Sequence, residues 1–131
     1  MSNYDQLASH YQTLNHFNHA QAMLDWDAAA NMPSGGSEAR SNALAELSVH
    51  IHRLSTQPQL EDWFAAAEQE SLNMEQQASL REMKRQWQQA TIVPEDLVQA
   101  QSIAGSKCEH AWRSQRQEND WQGFEKNWQA V

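Results

Sequence analysis

Apolar residues along this chain recur at steps of three and four, the spacing that places them on one face of an α-helix. The pattern predicts a long first helix that ends near Ala30, a second helix after a Gly-Gly turn, and four shorter helices further along. The stripe of the first helix is Tyr4, Leu7, Tyr11, Leu14, Phe17, Ala20 and Leu24, and that of the second is Leu44, Leu47, Ile51 and Leu54. Val, Ile and Thr, which favour strands, are scarce, whereas Ala and Gln are abundant. We therefore predict an all-α fold of about six helices in an antiparallel or crossed bundle.

The predicted helix ends rest on residues that cap or interrupt helices. Asn31 can close the first helix in the left-handed conformation, and Pro33 pushes Met32 out of the α region. Ser34 or Ser37 is suited to cap the second helix. The later helices are predicted to start at Pro58, at an Asn73–Gln76 capping box, at Pro94, and at Asn119 or Asp120. These signals divide the chain without any internal repeat.

The last predicted helix carries an aromatic stripe, Trp121, Phe124 and Trp128, that is still in phase at the final residue, Val131. No Gly, Asn, Pro or basic last turn closes this helix, although natural helices usually carry such a stop. We therefore expect a partner surface for the stripe and interpret residues 1–131 as a piece of a longer protein. An apolar patch of this size also predicts self-association. The six tryptophans, taken together, are expected mostly to pack in the core.

Composition and charge argue against several classes of partner and location. A formal net charge of −8 argues against nucleic acid, because binding phosphates needs a basic surface. The apolar runs are only a few residues long, so no membrane span is predicted, and the N-terminus lacks the segments of a signal peptide. The single cysteine, Cys108, cannot form an intrachain disulfide and is expected to be a buried structural thiol. These observations predict a cytoplasmic protein.

The six histidines do not form the spacings of a metal site. His16 and His19 share a helix face, but Asp27 as a third ligand lies about 12 Å further along the axis, too far for one ion. Pairs two residues apart point to nearly opposite sides of a helix, and these are His50 with His52 and Cys108 with His110. No His-Glu-x-x-His motif occurs. We therefore predict no metal or cofactor site within these residues and expect surface or partly buried histidines.

The turn between the first two helices holds the strongest candidate site. Asp25 and Asp27 lie in the last turns of the first helix, where the helix dipole disfavours negative charge, and Trp26 lies between them. Arg40 lies one turn into the next helix, where the positive end of the helix dipole disfavours its positive charge. Our hypothesis is that Arg40 pairs with Asp27 or Asp25 and fixes the helix crossing. The alternative is that Trp26, Asp27 and Arg40 face a substrate groove.

Three stretches carry a resemblance to a known family. The stretch "LDWDAAANMPSGGSEAR", Leu24 to Arg40, resembles the N-terminal signature of the thermostable carboxypeptidase (carboxypeptidase Taq) family of zinc metallopeptidases. The stretch "LREMKRQWQQATIVPEDLVQ" is similar to the family's basic-aromatic helix with its Val-Pro-Glu, and "HAWRSQRQENDWQGFEKNW" is similar to its Ala-Trp and Asn-Asp-aromatic positions. The stretches follow one another in the family's order along the whole chain.

This resemblance implies an N-terminal helical segment, residues 1–131, that forms a cap or wall over the substrate groove of a metal-dependent carboxypeptidase. Its expected partners are the remainder of the same polypeptide and peptide substrates. The family's His-Glu-x-x-His helix, which binds zinc or another divalent metal such as cobalt, has no counterpart here. No catalytic or metal residue can therefore be carried over, and these residues alone are predicted to be inactive. The alternative is a free-standing helical module that binds a partner helix through its Trp-rich stripes.

Overall fold

The computed structural model describes all 131 residues, Met1–Val131, and contains six α-helices and no strand. In chain order the helices are α1 (Asn3–Ala30), α2 (Ser37–Ser55), α3 (Gln59–Ala67), α4 (Met74–Ile92), α5 (Glu95–Glu118) and α6 (Trp121–Trp128). A 3-10 turn, Ser34–Gly36, leads into α2. The all-α class and the six helices are confirmed. No helix combines the length and the apolar character that crossing a membrane requires.

Several helix ends follow from local sequence. The predicted capping box at α4 is confirmed, because the Asn73 side chain accepts the backbone N–H of Gln76 while the Gln76 side chain accepts that of Asn73. The Asp120 carboxylate accepts the N–H of Gly123 and caps α6. Pro94 directly precedes α5, and Pro58 directly precedes α3. Such caps satisfy backbone N–H groups that have no partner inside the helix.

The first helix ends at Ala30 as predicted, but three details of the predicted helix ends are wrong. Asn31 has φ −126°, not a left-handed angle, because the Asp27 carbonyl accepts the N–H groups of both Asn31 and Met32 and closes α1 without one. Neither Ser34 nor Ser37 caps α2, since Gly36 and Ser37 already have right-handed helical angles and a side-chain cap needs a non-helical residue. The helix α6 ends at Trp128 and has Lys126 in its last turn, so Val131 does not continue its stripe and the expected lack of a basic last turn is wrong.

The main core lies between the first half of α1, α3 and α4. Eight buried side chains form it: Leu7, Tyr11, Leu14, Leu60, Phe64, Ala67, Leu80 and Met83. The Tyr11 hydroxyl donates to the Met83 carbonyl at 2.7 Å, and burial raises the pKa of Tyr11 to about 12. Ile51 and Leu54, from the end of α2, pack against the edge of this cluster. We call this part of the molecule the packed half.

The rest of the molecule has a thinner core. The helix α2 lies between α1 and α5, and only Leu44, Ala45, Val49 and Cys108 are buried there. Cys108 is buried, as predicted. Ala45 and Val49 are also buried, but the predicted α2 stripe did not include them. The reason is that α2 has neighbours on two sides, so a single stripe does not describe its buried surface. We call the second half of α1, residues 37–50 of α2, α5 and α6 the polar half.

The prediction that most tryptophans pack in the core is wrong. Trp63 and Trp87 pack against the main core, but Trp26, Trp112, Trp121 and Trp128 are exposed. The helix α6 contacts only α5, so nothing covers its outer side. Its rings form a continuous row, with ring centres 5.7 Å apart for Trp121 and Phe124 and 6.1 Å apart for Phe124 and Trp128. We call these three residues the aromatic face.

Candidate functional site

Arg40 joins α2 to the end of α1. Its Nη2 donates to the Asp27 carboxylate at 2.6 Å, and its Nη1 donates to the Leu24 carbonyl at 2.8 Å. The position follows from the sequence, because the turn after α1 is short and Arg40 lies in the first turn of α2. A cation at a helix C-terminus interacts favourably with the helix dipole. The same guanidinium therefore offsets the Asp27 charge and the negative end of α1.

A second arginine reaches the same helix end from α5. Arg113 donates from Nη1 to the Ala28 carbonyl at 3.0 Å and from Nη2 to Glu109 at 3.1 Å. Ala28 is one of the last four residues of α1, whose carbonyls have no partner within the helix. Three helices thus meet at the end of α1, and two guanidinium groups hold them there. We call this junction the corner.

The corner encloses a small cleft of about 50 Å³ between α1, α2 and α5. Such a volume holds a few water molecules at most, since one water needs about 10–15 Å³. Asp25 lines the cleft, and its pKa is raised, first by burial and then by the nearby charge of Glu109. The Nδ1 atom of His110 is buried beside the cleft and has no hydrogen-bond partner. The cleft therefore combines one carboxyl group whose pKa is raised with one unpaired imidazole nitrogen.

The three residues singled out in the sequence are not all brought together. Arg40 contacts Asp27, and Asp25, the other carboxylate considered, takes part in no ion pair. Trp26 does not line the cleft and is 61% exposed on the outside of α1. Whether any of these residues faces a substrate groove stays a prediction.

Sequence reasoning missed the α5 side of the corner. Arg113 lies 85 residues from its partner Ala28, and no local spacing links positions so far apart. One signal was present, because His110 and Arg113 belong to the third stretch that resembles the carboxypeptidase family, and Asp27 and Arg40 belong to the first. The structure places these two stretches against each other at the corner.

The residues of this chain do not fit a metal site. No three His, Cys, Asp or Glu side chains converge so that they could hold one ion. His16 and His19 are both exposed on α1. A divalent metal of the kind the carboxypeptidase family uses would find no ligand set here, and we assign no chemical step to it.

The corner also lacks an activated nucleophile. Ser37, Ser41 and Ser106 line the cleft, but no hydrogen bond joins any of them to His110. A serine needs such a base within hydrogen-bond reach to become a nucleophile. The polar groups of the corner instead bond to one another and to helix-end carbonyls, so its chemistry is that of a helix junction.

Comparison with known proteins matches this chain to metallopeptidases. The sequence model of the family described as carboxypeptidase Taq (M32) metallopeptidase matches residues 6–131. Thermostable carboxypeptidase 1 of Pyrococcus furiosus is 31% identical over 121 residues, which is 92% of this chain and 24% of the relative. Thermostable carboxypeptidase 1 of Thermus thermophilus is 28% identical over 107 residues, which is 79% of this chain and 21% of the relative.

A solved structure shows the same helical arrangement. Metallocarboxypeptidase 1 of Trypanosoma cruzi superposes with a TM-score of 0.75 at 33% sequence identity, covering 95% of this chain and 25% of that protein. The chain therefore spans about a fifth to a quarter of the length of the relatives that it matches.

Proposed function

The chain belongs to the carboxypeptidase Taq (M32) metallopeptidase family, and from this premise we propose that residues 1–131 form the N-terminal helical part of a metal-dependent carboxypeptidase. The enzyme as a whole would hydrolyse C-terminal residues from peptides. The observation that carries the proposal is the match of the family over residues 6–131, almost the whole chain. The likeness to a solved metallocarboxypeptidase over 95% of this chain supports it.

In this proposal the reactive centre lies outside these 131 residues. The supporting observation is that no three potential ligands converge, while the relatives are several times longer than the stretch that matches. The divalent metal, zinc or cobalt, and the groups that activate water would come from the remaining part of the enzyme. Residues 1–131 would be inactive alone. A cytoplasmic location stays a prediction that rests on the single buried cysteine.

The contribution of the corner would be mechanical. In this proposal the two arginines would fix where α1 ends relative to α2 and α5, and the support is that each binds an α1 carbonyl and also a carboxylate. A wall whose helices keep their positions would restrict entry to the groove sterically. Only the free end of a peptide would then be admitted. We therefore favour the structural interpretation of Asp27 and Arg40 over direct contact with substrate.

The aromatic face would meet the remainder of the polypeptide. Only 12 of 131 residues are buried in the chain by itself, a small core for this length. Trp121 and Trp128 are 65% and 63% exposed on α6, and exposed apolar patches of this kind mark contact surfaces. The same face is also the one observation in favour of the second candidate, a free-standing interaction module.

The deciding experiment compares two purified proteins on a blocked dipeptide with added zinc or cobalt. One is the 131-residue chain, and the other is the product of the gene's reading frame carried beyond codon 131. We expect release of the C-terminal amino acid only from a longer product that contains His-Glu-x-x-His. Activity of the 131-residue chain would contradict our placement of the reactive centre. A stop codon directly after Val131 would favour the interaction module.

The specific role of the corner is tested in the longer protein. Arg40→Ala should impair hydrolysis through loss of a fixed wall, whereas the matched control Arg81→Ala should not, since Arg81 is exposed on α4 and forms no ion pair. An Arg40→Ala enzyme with unchanged kcat and KM would contradict the role of the corner while leaving the family assignment intact.

A further inference from the structure

A second, larger chamber opens beside the corner, between the first turns of α2 and the middle of α5. Its volume is about 400 Å³, within the range of about 300–1,000 Å³ that small-molecule sites occupy. It shares Ser37, Ser41, Ser106 and His110 with the small cleft. We call it the α2–α5 chamber.

Two opposite charges line this chamber without neutralising each other. Glu38 comes from α2 and Lys107 from α5. Neither belongs to any of the protein's ion pairs, so their charged atoms are more than 4.0 Å apart. Glu38 is exposed in the first turn of α2, where the positive start of the helix favours its charge, and Lys107 is exposed in the middle of α5. The pair presents one anion and one cation to whatever occupies the space between them.

Uncommitted hydrogen-bonding groups belong to the residues that line the chamber. His110 lines both the chamber and the small cleft, and its Nδ1 atom is buried without a partner. Buried polar atoms in proteins nearly always have a hydrogen-bond partner, so an exception calls for an unseen one. The hydroxyl groups of Ser37 and Ser106 lie in the same chamber wall. Ile103 and Ala111, from α5, add apolar surface to the lining.

We propose that the α2–α5 chamber binds a small zwitterion, specifically a free α-amino acid. Lys107 would pair with the carboxylate, Glu38 with the ammonium group, and Ile103 and Ala111 would contact an apolar side chain. The zwitterion chemistry rests on the chamber alone. The choice of an α-amino acid rests on the proposed function, because hydrolysis of a C-terminal peptide bond releases one. The product of the enzyme would then have a second site, on the helical part rather than at the reactive centre.

The test is a titration of the isotope-labelled 131-residue chain with L-leucine, followed by NMR of its backbone amides. We expect saturable shifts confined to the first turns of α2 and to residues 103–111. Glu38→Gln and Lys107→Gln should each weaken binding by about fivefold or more, since each removes one charged partner. The matched controls Glu125→Gln and Lys126→Gln make the same charge changes on exposed positions of α6 and should leave the dissociation constant unchanged. Circular dichroism checks that each variant keeps its helices.

Analogues of leucine separate the two charges. N-acetyl-leucine lacks the ammonium group, leucinamide lacks the carboxylate, and both should bind at least fivefold more weakly than leucine. No saturable shift with leucine, binding of either analogue as tight as that of leucine, or an equal effect of the α6 controls would overturn the proposal. Binding of 6-aminohexanoate as tight as that of leucine would overturn the assignment to α-amino acids. The titration needs neither metal nor peptide hydrolysis, so its outcome is independent of whether the proposed enzyme activity is found.

Discussion

The packed half and the polar half are built from the same kind of helix, yet different forces hold them together. In the packed half eight buried side chains from α1, α3 and α4 form one cluster. In the polar half two guanidinium groups link α1 to α2 and α5 through hydrogen bonds to carbonyls and carboxylates. The free energy gained from apolar burial grows with the buried area, whereas hydrogen bonds require defined distances and directions. The comparison indicates that the packed half supplies the stability and that the polar half sets the geometry.

The largest effect should come from the centre of the packed half. Phe64 is 1% exposed and packs against Tyr11 and Trp87. Phe64→Ala should lower the free energy of unfolding by about 3–5 kcal/mol, since truncating a buried phenylalanine loses its transfer free energy and leaves a cavity. Chemical denaturation followed by circular dichroism measures this. A loss below about 1 kcal/mol would show that the packed half is not the main source of stability.

A smaller effect is expected at the corner. Arg40→Ala removes two charge-assisted hydrogen bonds, one of them to a carboxylate, and should cost about 1–2 kcal/mol because the site is only partly buried. Arg40→Lys should recover part of this, since lysine can reach one acceptor but cannot bridge two. Arg81→Ala, which breaks no ion pair, is the control. Unchanged thermal stability of Arg40→Ala would mean that the corner does not fix the helix crossing.

Lowering the pH should remove a stabilising charge from the packed half and a destabilising charge from the polar half. Glu70 accepts the backbone N–H groups of Asn3 and Tyr4 at the start of α1. Burial raises the pKa of Glu70, but the hydrogen bonds from Asn3 and Tyr4 outweigh it, so the pKa lies below 4.5. Its stabilisation is present above pH 4.5 and is lost as pH falls through the lowered value.

Asp25 behaves in the reverse sense, because its pKa is raised above 3.8 by burial and by Glu109. Its charge therefore destabilises the folded corner at neutral pH, and protonation relieves this as pH falls through the raised value. Asp25→Asn should stabilise the protein slightly at pH 7, and Glu70→Gln should destabilise it. Melting temperatures at pH 7 and pH 3 check both signs: each difference from the unmodified chain should shrink at pH 3.

The smallest effect should come from the aromatic face. Trp128→Ser should change the free energy of unfolding of this chain by less than about 0.5 kcal/mol, because Trp128 is 63% exposed and α6 contacts only α5. The same substitution should reduce any self-association measured by analytical ultracentrifugation. Glu125→Ser on α6 is the control. A large loss of stability would show that the face packs within the chain.

Local sequence predicted those features whose causes lie within a few residues. The Asn73–Gln76 capping box and the proline before α5 belong to this class, as does the closeness of Arg40 to the end of α1. Features that need distant partners were missed. Arg113 reaches Ala28 across 85 residues, and Ala45 and Val49 are buried because α5 covers the side of α2 that no single stripe marks.

The exposed tryptophans show that the spacing of apolar residues does not by itself predict burial. A stripe shows that a surface is apolar, but whether it is covered depends on which elements surround it. Trp63 and Trp87 have neighbours on α1, α3 and α4 and are packed, whereas Trp121 and Trp128 have only α5 beside them and stay open. Periodicity alone could not distinguish these two cases.

The unbroken α1 has a mechanical consequence. Its 28 residues span about 42 Å. The first half of the helix packs in the main core, and its C-terminal end is bound by the two arginines of the corner. Over this length a tilt of one degree about one end corresponds to a displacement of about 0.7 Å at the other end. A tilt of α1 at the main core would therefore load the hydrogen bonds of the corner, where the two family-like stretches meet.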